Sequence, residues 1–473
     1  MHSNNTIKAF FDPESVAVVG SLREMMGTAY WLMQNMRQFG YSKPIYPVNP
    51  SSSGEVLGSQ VYPSITEVPF PVDLAVLLTP PAVTPQTVEK CADKGVKAVI
   101  VLSEGFAECD EAGEILQAQI RSVCEKTGIR VMGPNTFGTV NTYSRLATIA
   151  PYLDQENLQP GGVSLCSQTG SLGPHQMPVG DWGYPIAKKC DIGNKCDVNE
   201  TDILDYFTGD PETQVVAMHL EDVKDGPRFM AAARRLIARK PLVVLKTGRT
   251  GQGAIASASH TGSLMGNDQV YDAALKQVGA IRAETWQEMW EIPKTLVYQP
   301  LPKGNRFAII TFTGGQGVIA ADAASRAGLE IADLTPETIL KLKEVSPRLG
   351  GNPVDVGPAM SDSRSQSASN PFAALEQSIA LTLNDPNVDC ATITFSTGNQ
   401  LVGIYPMIID MIDNLVQAAQ ITVNVWIYGT SLPAMEELAR QLHARRIPAY
   451  FDLDMAVKSL GAAAYYSRIK SDL

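Results

Sequence analysis

Residues 162–173, "GVSLCSQTGSLG", read as a buried β-strand that runs into a small polar turn and opens a helix, and residues 306–317, "RFAIITFTGGQG", repeat that reading. In each copy an apolar, β-branched run of strand length gives way to Thr-Gly and a second glycine. The turns align without a gap, "TGSLG" at 169–173 upon "TGGQG" at 313–317. Two copies of one strand–turn–helix start predict two related three-layer α/β domains, divided near residue 300 at the linker "YQPLPKGN".

N-terminal to this pair, "SVAVVG", "KPIYPVN", "DLAVLLTP", "VKAVIVLSEG" and "IRVMGPN" alternate with helical patterns over the first 150 residues. Five apolar strands, each leaving through Gly, Pro, Asn or Ser, predict a parallel sheet with helices on both faces. Ligands of such sheets bind at the C-terminal strand ends, where backbone N–H groups meet phosphates. Taken singly, the turn after "SVAVVG" fits an ordinary strand-to-helix connection as well as a ligand loop. It lacks the GxGxxG spacing and the downstream acid of a nicotinamide site, which disfavours a dehydrogenase. The expected organisation is 1–150, 151–300 and 301–473. The middle part continues with strands "VVAMHLED" and "PLVVLKTG", the last with "CATITFS", "ITVNVWIYG" and "PAYFD", and "NPVDVGP" at 352–358 is expected to be a rigid loop.

Composition narrows the chemistry. With 473 residues, 44% of them hydrophobic, the chain can build two to four cores. A net charge of −11 without basic runs argues against nucleic acid and anionic membranes as partners. The seven cysteines are scattered without metal spacing, which fits free thiols in a reducing cytoplasm and no metal site. No signal peptide or bilayer-length apolar run is evident.

Three features can converge in the middle part. The turn Ser167, Gln168, Thr169, Gly170 and Ser171 offers a helix start for a phosphate without any lysine. Glu221 stands at a strand exit. His260 lies in "IASASHTGSLMGND" (255–268), a run of small residues that predicts a mobile polar loop presenting an imidazole. A carboxylate that holds one ring nitrogen leaves the other free to be phosphorylated. The spacing alone equally fits a surface histidine and a solvated glutamate.

"SVAVVG", "KPIYPVNP", "DLAVLLTP", "GPNTFGTVN", "CSQTGSLG", "GNKCDVNETDILDYF", "LEDVKDGPRFMAAAR", "KPLVVLKTGRT", "ASHTGSLMGND", "FTGGQGV" and "GNPVDVG", in that order, closely resemble the alpha subunit of NDP-forming acyl-CoA synthetases. This is the ADP-forming acetate–CoA ligase group related to succinyl-CoA synthetase, and the resemblance spans nearly the whole chain. It implies a Rossmann-like CoA-binding domain followed by two flavodoxin-like domains. The implied reaction interconverts a small organic acid, CoA and ATP with acyl-CoA, ADP and phosphate through acyl-phosphate and phosphohistidine intermediates. His260 is then the phosphorylated residue, Glu221 its orienting carboxylate, and residues 167–171 the phosphate cradle. Ser21, Leu22, Arg23, Lys43, Ser103, Glu104 and Gly105 are implied around the nucleotide end of CoA, with Asn135 near the thiol. The resemblance further implies an ATP-grasp beta subunit holding ATP or ADP with Mg2+, an alpha2-beta2 assembly and a cytoplasmic enzyme.

The sequence departs from that pattern in places. "GSLREMMGTAYW" replaces the usual small-residue loop after the first strand, and Thr136 stands where succinyl-CoA synthetases carry cysteine. No segment resembles an ATP-grasp domain, so a partner is expected to complete the cycle. Pro174 occupies the place of a substrate-contacting tyrosine, and His175 beside it is either an ordinary helix histidine or a donor to a polar group on the acid. The competing reading is a CoA or acyl-CoA sensor on the same fold without turnover.

Overall fold

In a computed structural model of the chain, the described residues are 4–149, 158–172, 183–253, 267–358, 371–398 and 403–472. Two compact units are formed, Met1–Asp181 with Pro185–Glu284, and Trp182–Tyr184 with Thr285–Leu473.

The first unit holds two main sheets. One is parallel throughout, in the order Ile45–Val48, Val16–Gly20, Leu74–Leu78, Ala98–Val101, Arg130–Met132. These are the five runs expected from sequence. Their Val, Ile, Leu and Ala side chains are buried on both faces, as parallel strands covered by helices require. Strand order reverses between Val16–Gly20 and Leu74–Leu78, and that switch point is where a doubly wound sheet opens a crevice.

The second sheet runs Ile281–Ala283, Leu242–Lys246, Val215–Leu220, Val163–Ser167, Ile186–Asp191, Thr139–Asn141, Leu146–Ala147. Its first five strands are parallel and repeat the same order reversal, here between Val163–Ser167 and Val215–Leu220. Thr139–Asn141 adds antiparallel to Ile186–Asp191. This strand precedes residue 150, so the second sheet begins before the expected boundary. The strand Ile186–Asp191, "IAKKCD", escapes a sequence reading because two lysines and an aspartate break its apolar run.

An ion-pair cluster and an aromatic stack are among the contacts that join these sheets. Arg130, 3% exposed, pairs with Asp197 at 2.8 Å and Asp202 at 3.0 Å. Phe11 stacks on Tyr206 with centroids 5.0 Å apart. The helix Glu200–Gly209 that carries Asp202 starts in a reciprocal capping box with Asn199, which fixes the aspartate at its third position.

The second unit is built on the order Glu330–Ile331, Arg306–Thr311, Cys390–Thr397, Thr422–Gly429, Ala449–Tyr450, all parallel. "NPVDVGP" is more than a loop, because Val354–Asp355 pairs with the end of Arg306–Thr311. The internal repeat is visible atom by atom. The Ser167 hydroxyl donates to the carbonyl of Thr169 at 2.9 Å, and the Thr311 hydroxyl donates to that of Thr313 at 2.8 Å. The unit takes in helix Trp286–Tyr298, so its boundary falls before the linker at about residue 300.

Candidate active site

The C-terminal edge of the second sheet gathers polar side chains at the switch point. Ser167 ends one strand and Glu221 follows its neighbour, and between them Gln168 acts as a clamp. Its side-chain carbonyl accepts the N–H of Glu221 at 2.7 Å and of Asp222 at 3.2 Å, while its amide donates to Asp222 Oδ1 at 2.8 Å. Gln168 and Glu221 are each 7% exposed. The glutamine expected to help cradle a phosphate therefore uses its side chain to set the Glu221 backbone.

The turn itself is tight. Thr169 Oγ1 accepts the N–H of Ser171 at 3.4 Å. Gly170 faces the Phe137 ring so closely that an added Cβ would lie 1.9 Å from it. Only glycine fits there, which keeps the backbone of 169–171 uncovered by a side chain at 170. Phe137 is in turn held by Asp191, whose carboxylate accepts the N–H groups of Phe137 at 2.8 Å and Gly193 at 3.1 Å. Burial pushes the Asp191 carboxyl up, against the opposing pull of Lys189 and these donors. Thr136 donates to the Asp191 carbonyl at 2.5 Å and accepts from Gly138 at 3.0 Å, which ties this threonine into the backbone beside the turn.

Beyond Glu221, Asp222 meets the Lys195 ammonium at 2.6 Å. Burial raises the Asp222 carboxyl, but Lys195 and Gln168 outweigh it and the net shift is downward, so this carboxylate is an anion at neutral pH. Lys246 ends the adjoining strand 4.7 Å from the centre of the Tyr271 ring. Burial lowers its ammonium, partly offset by Asp268, Asp222 and Glu221. His219, 3% exposed, bonds through Nε2 to Thr247 Oγ1 at 3.0 Å, and burial followed by the charge of Lys246 brings its pKa down to about 4. A neutral imidazole and an anionic carboxylate thus stand near Glu221. His260, Pro174 and His175 lie outside the described residues, as does Gly173 at the end of the turn.

At the first sheet, the expected CoA residues fall at strand exits, with one exception. Ser21 and Arg23 are exposed and Leu22 is buried in the loop after Val16–Gly20. That loop closes on itself through Gly27, whose N–H donates to the Arg23 carbonyl at 2.7 Å and whose added Cβ would lie 2.2 Å from the Ser21 carbonyl. Ser103 donates to the Thr79 carbonyl at 2.6 Å, Glu104 is exposed, and the Gly105 N–H donates to Glu108 at 2.6 Å. Asn135, with φ of 57°, takes its N–H to the Ser103 carbonyl at 2.9 Å and its amide to Asn194 at 3.4 Å, so it stands where the two sheets of this unit meet.

Lys43 is the exception. It precedes the strand Ile45–Val48 and pairs with Asp12 and Glu14, each at 3.1 Å, at the N-terminal end of the sheet. The whole strand, 4 residues long, lies between Lys43 and the exit, which is roughly 13 Å at ~3.3 Å per residue. The group that does occupy the exit is Asn49, which donates to the Gly20 carbonyl at 2.7 Å and accepts from Ser51 at 2.8 Å. The signal was present in "VNP", an asparagine directly after a strand. Small residues, close backbone approach and side-chain-anchored loops at 21–27, 49–51 and 103–105 fit a nucleotide-bearing ligand. Among the described residues no cluster of His, Cys, Asp or Glu is arranged to hold a metal, and no helix is long and apolar enough to cross a membrane.

Residues 14–142 match the CoA binding domain, 160–296 the succinyl-CoA ligase like flavodoxin domain, and 307–473 the ligase-CoA domain. The chain is 35% identical to the acetate–CoA ligase (ADP-forming) I subunit alpha of Pyrococcus furiosus, over 98% of this chain and 99% of that one. It is 32% identical to the acetate–CoA ligase (ADP-forming) I of Archaeoglobus fulgidus, over 98% of this chain and 64% of that longer protein. In structure it is similar to a dinucleotide forming acetyl-coenzyme A synthetase 1 of Ca. Korarchaeum cryptofilum in complex with phosphate and ADP. That likeness has a TM-score of 0.88 at 29% identity and covers 100% and 98% of the two chains. Fold and site define an acid–thiol ligase of the CoA-dependent class. The chain belongs to the ADP-forming acetate–CoA ligase family, and the relative it matches over 99% of that protein's length is an alpha subunit.

Proposed function

We propose that this chain is the alpha subunit of a two-component acyl-CoA synthetase that converts acyl-CoA, phosphate and ADP to the free acid, CoA and ATP, and back. Phosphate displaces CoA from the acyl group to give an acyl phosphate, His260 takes the phosphoryl group, and ADP receives it at a second site. The observation that carries the reading is the Gln168 clamp, which places Glu221 beside the turn 167–171 at the switch point of the second sheet. A carboxylate so held suits the N–H of an imidazole whose other nitrogen bears phosphate. Ser21, Leu22, Arg23, Ser103, Glu104, Gly105 and Asn135, joined by Asn49, form the CoA surface.

The ATP or ADP site with its Mg2+ is assigned to an ATP-grasp beta subunit in an alpha2-beta2 enzyme of the cytoplasm, a reading supported by the alpha-subunit relatives. Pro174 and His175 are assigned to the acid pocket, with His175 donating to a second polar group of the acid. The experiment is reconstitution with the beta subunit and a screen of carboxylic acids for CoA-dependent ADP release. His175→Ala should raise the KM of the best acid while leaving those of CoA and ATP unchanged. No CoA-dependent ADP release with any acid would contradict the function.

A further inference from the structure

Lys195 is a buried cation in the connection between Ile186–Asp191 and helix Glu200–Gly209, 5% exposed and held at φ of 54°. Its ammonium donates to the Asp222 carbonyl at 3.0 Å and to Asp222 Oδ1 at 2.6 Å, and lies 3.2 Å from Glu200 Oε2. Asp222 Oδ1 also accepts from Gln168, and Gln168 accepts the N–H of Glu221. One unbroken chain of contacts therefore runs from Lys195 through Asp222 and Gln168 to the backbone of Glu221, charge-assisted at both bonds to Asp222 and neutral at the last. Every link is buried, so each is strengthened by the low local dielectric and costly to leave unmade.

Glu200, Asp222 and Glu221 bring three carboxylates to this sheet edge, all under 10% exposed. Buried charges left without a partner are costly, and a cation among carboxylates offsets that cost. Lys195 touches two of the three directly and acts on the third through the clamp. Its left-handed backbone is an unusual conformation for a lysine, tolerated where the surroundings fix it.

We propose that Lys195 is a positioning residue for phosphoryl transfer to the histidine, acting on Glu221 through Asp222 and Gln168. The inference rests on the assignment of Glu221 as the partner of His260. It adds a cation whose removal slows phosphorylation without touching substrate, and it makes the loss conditional on Glu221 being a carboxylate.

The test is a double-mutant cycle on the reconstituted enzyme, reading the single-turnover rate of histidine phosphorylation from ATP, with the Kd for CoA and the Tm measured on every variant. Lys195→Met should slow phosphorylation at least tenfold while the Kd for CoA stays within twofold, and Lys195→Arg should restore much of the rate. In the Glu221→Gln background, Lys195→Met should cost less than threefold, because the group it positions is already disabled. Gln168→Met breaks the same chain without removing a charge, should show the same dependence on Glu221, and gives the decisive reading if Lys195→Met does not fold. A merely structural lysine would lower the Tm and multiply independently with Glu221→Gln, and such additivity in both series would overturn the proposal. A Glu221→Gln enzyme with the wild-type rate would instead overturn the underlying role of Glu221, and this inference with it.

Discussion

The side-chain carbonyl of Gln168 accepts the backbone N–H of Glu221 at 2.7 Å, across the two strands between which the order of the second sheet reverses. A residue at one strand exit thereby fixes the backbone of the residue at the next. Side chains placed in this way need little reorganisation when charge develops beside them, which is the main means by which an active site stabilises a transition state.

Glu221→Gln should keep the fold and CoA affinity but slow phosphorylation of the histidine by about a hundredfold. The amide still accepts from the ring and loses only the negative charge that stabilises the cationic imidazole. Rapid-quench labelling with the beta subunit present measures it, and an unchanged rate would leave Glu221 without a part in the transfer.

Gly170→Ala should damage the phosphate turn. A Cβ there would meet the Phe137 ring at 1.9 Å, so ring or turn must shift, at a cost of about 1–3 kcal/mol for overpacking. The expected outcome is a lower Tm together with a raised KM for phosphate. Phe137→Ala in the same chain should relieve the clash, and a double variant no better than the single one would contradict the contact.

Two residues separate the two ends of the first sheet. Asn49→Ala should weaken CoA binding several-fold, because the side chain that anchors the 49–51 loop to Gly20 is lost. Lys43→Ala should leave CoA affinity within twofold, since Lys43 pairs with Asp12 and Glu14 at the far end. Calorimetry on the two variants decides it, and the opposite ranking would return Lys43 to the ligand surface.

The buried imidazole of His219 makes stability depend on pH. Its folded pKa is about 4 and an unfolded histidine titrates near 6.5. Between these values the unfolded chain takes up a proton that the folded chain refuses. Its contribution is therefore fully present above ~6.5 and is lost as pH falls toward 4, by up to about 1.4 kcal/mol per unit. His219→Gln should flatten the fall in Tm between pH 6.5 and 4.5 relative to wild type, and parallel curves would contradict the assignment.

The fold was largely legible because parallel strands buried on both faces leave unbroken apolar runs. All five strands of the first sheet and the first strand of each repeat carry that signature. Ile186–Asp191 does not, since it buries Lys188 and Lys189 within the sheet, and such burial is set by tertiary partners such as Asp210. Thr139–Asn141 and Leu146–Ala147 are too short to give a periodic signal and join the second sheet through pairing that sequence does not encode locally. At the site, residue types at strand exits pointed to Ser167–Ser171 and Glu221, but partnership did not. Gln168 reads only as part of the phosphate turn, and its side-chain bonds to Glu221 and Asp222 come from tertiary placement. Lys43, placed by resemblance at the nucleotide end of CoA, stands at the other end of its strand, as the register Val16↔Ile45 shows.

The central claim is phosphoryl transfer through His260, and one measurement addresses it directly. The chain is mixed with its beta subunit and γ-labelled ATP, quenched, and the labelled residue located by mass spectrometry. The account predicts an acid-labile, base-stable phosphoryl group on His260 that is discharged by ADP and absent from His260→Asn. Undiminished labelling of His260→Asn, or label on a different residue, would contradict it.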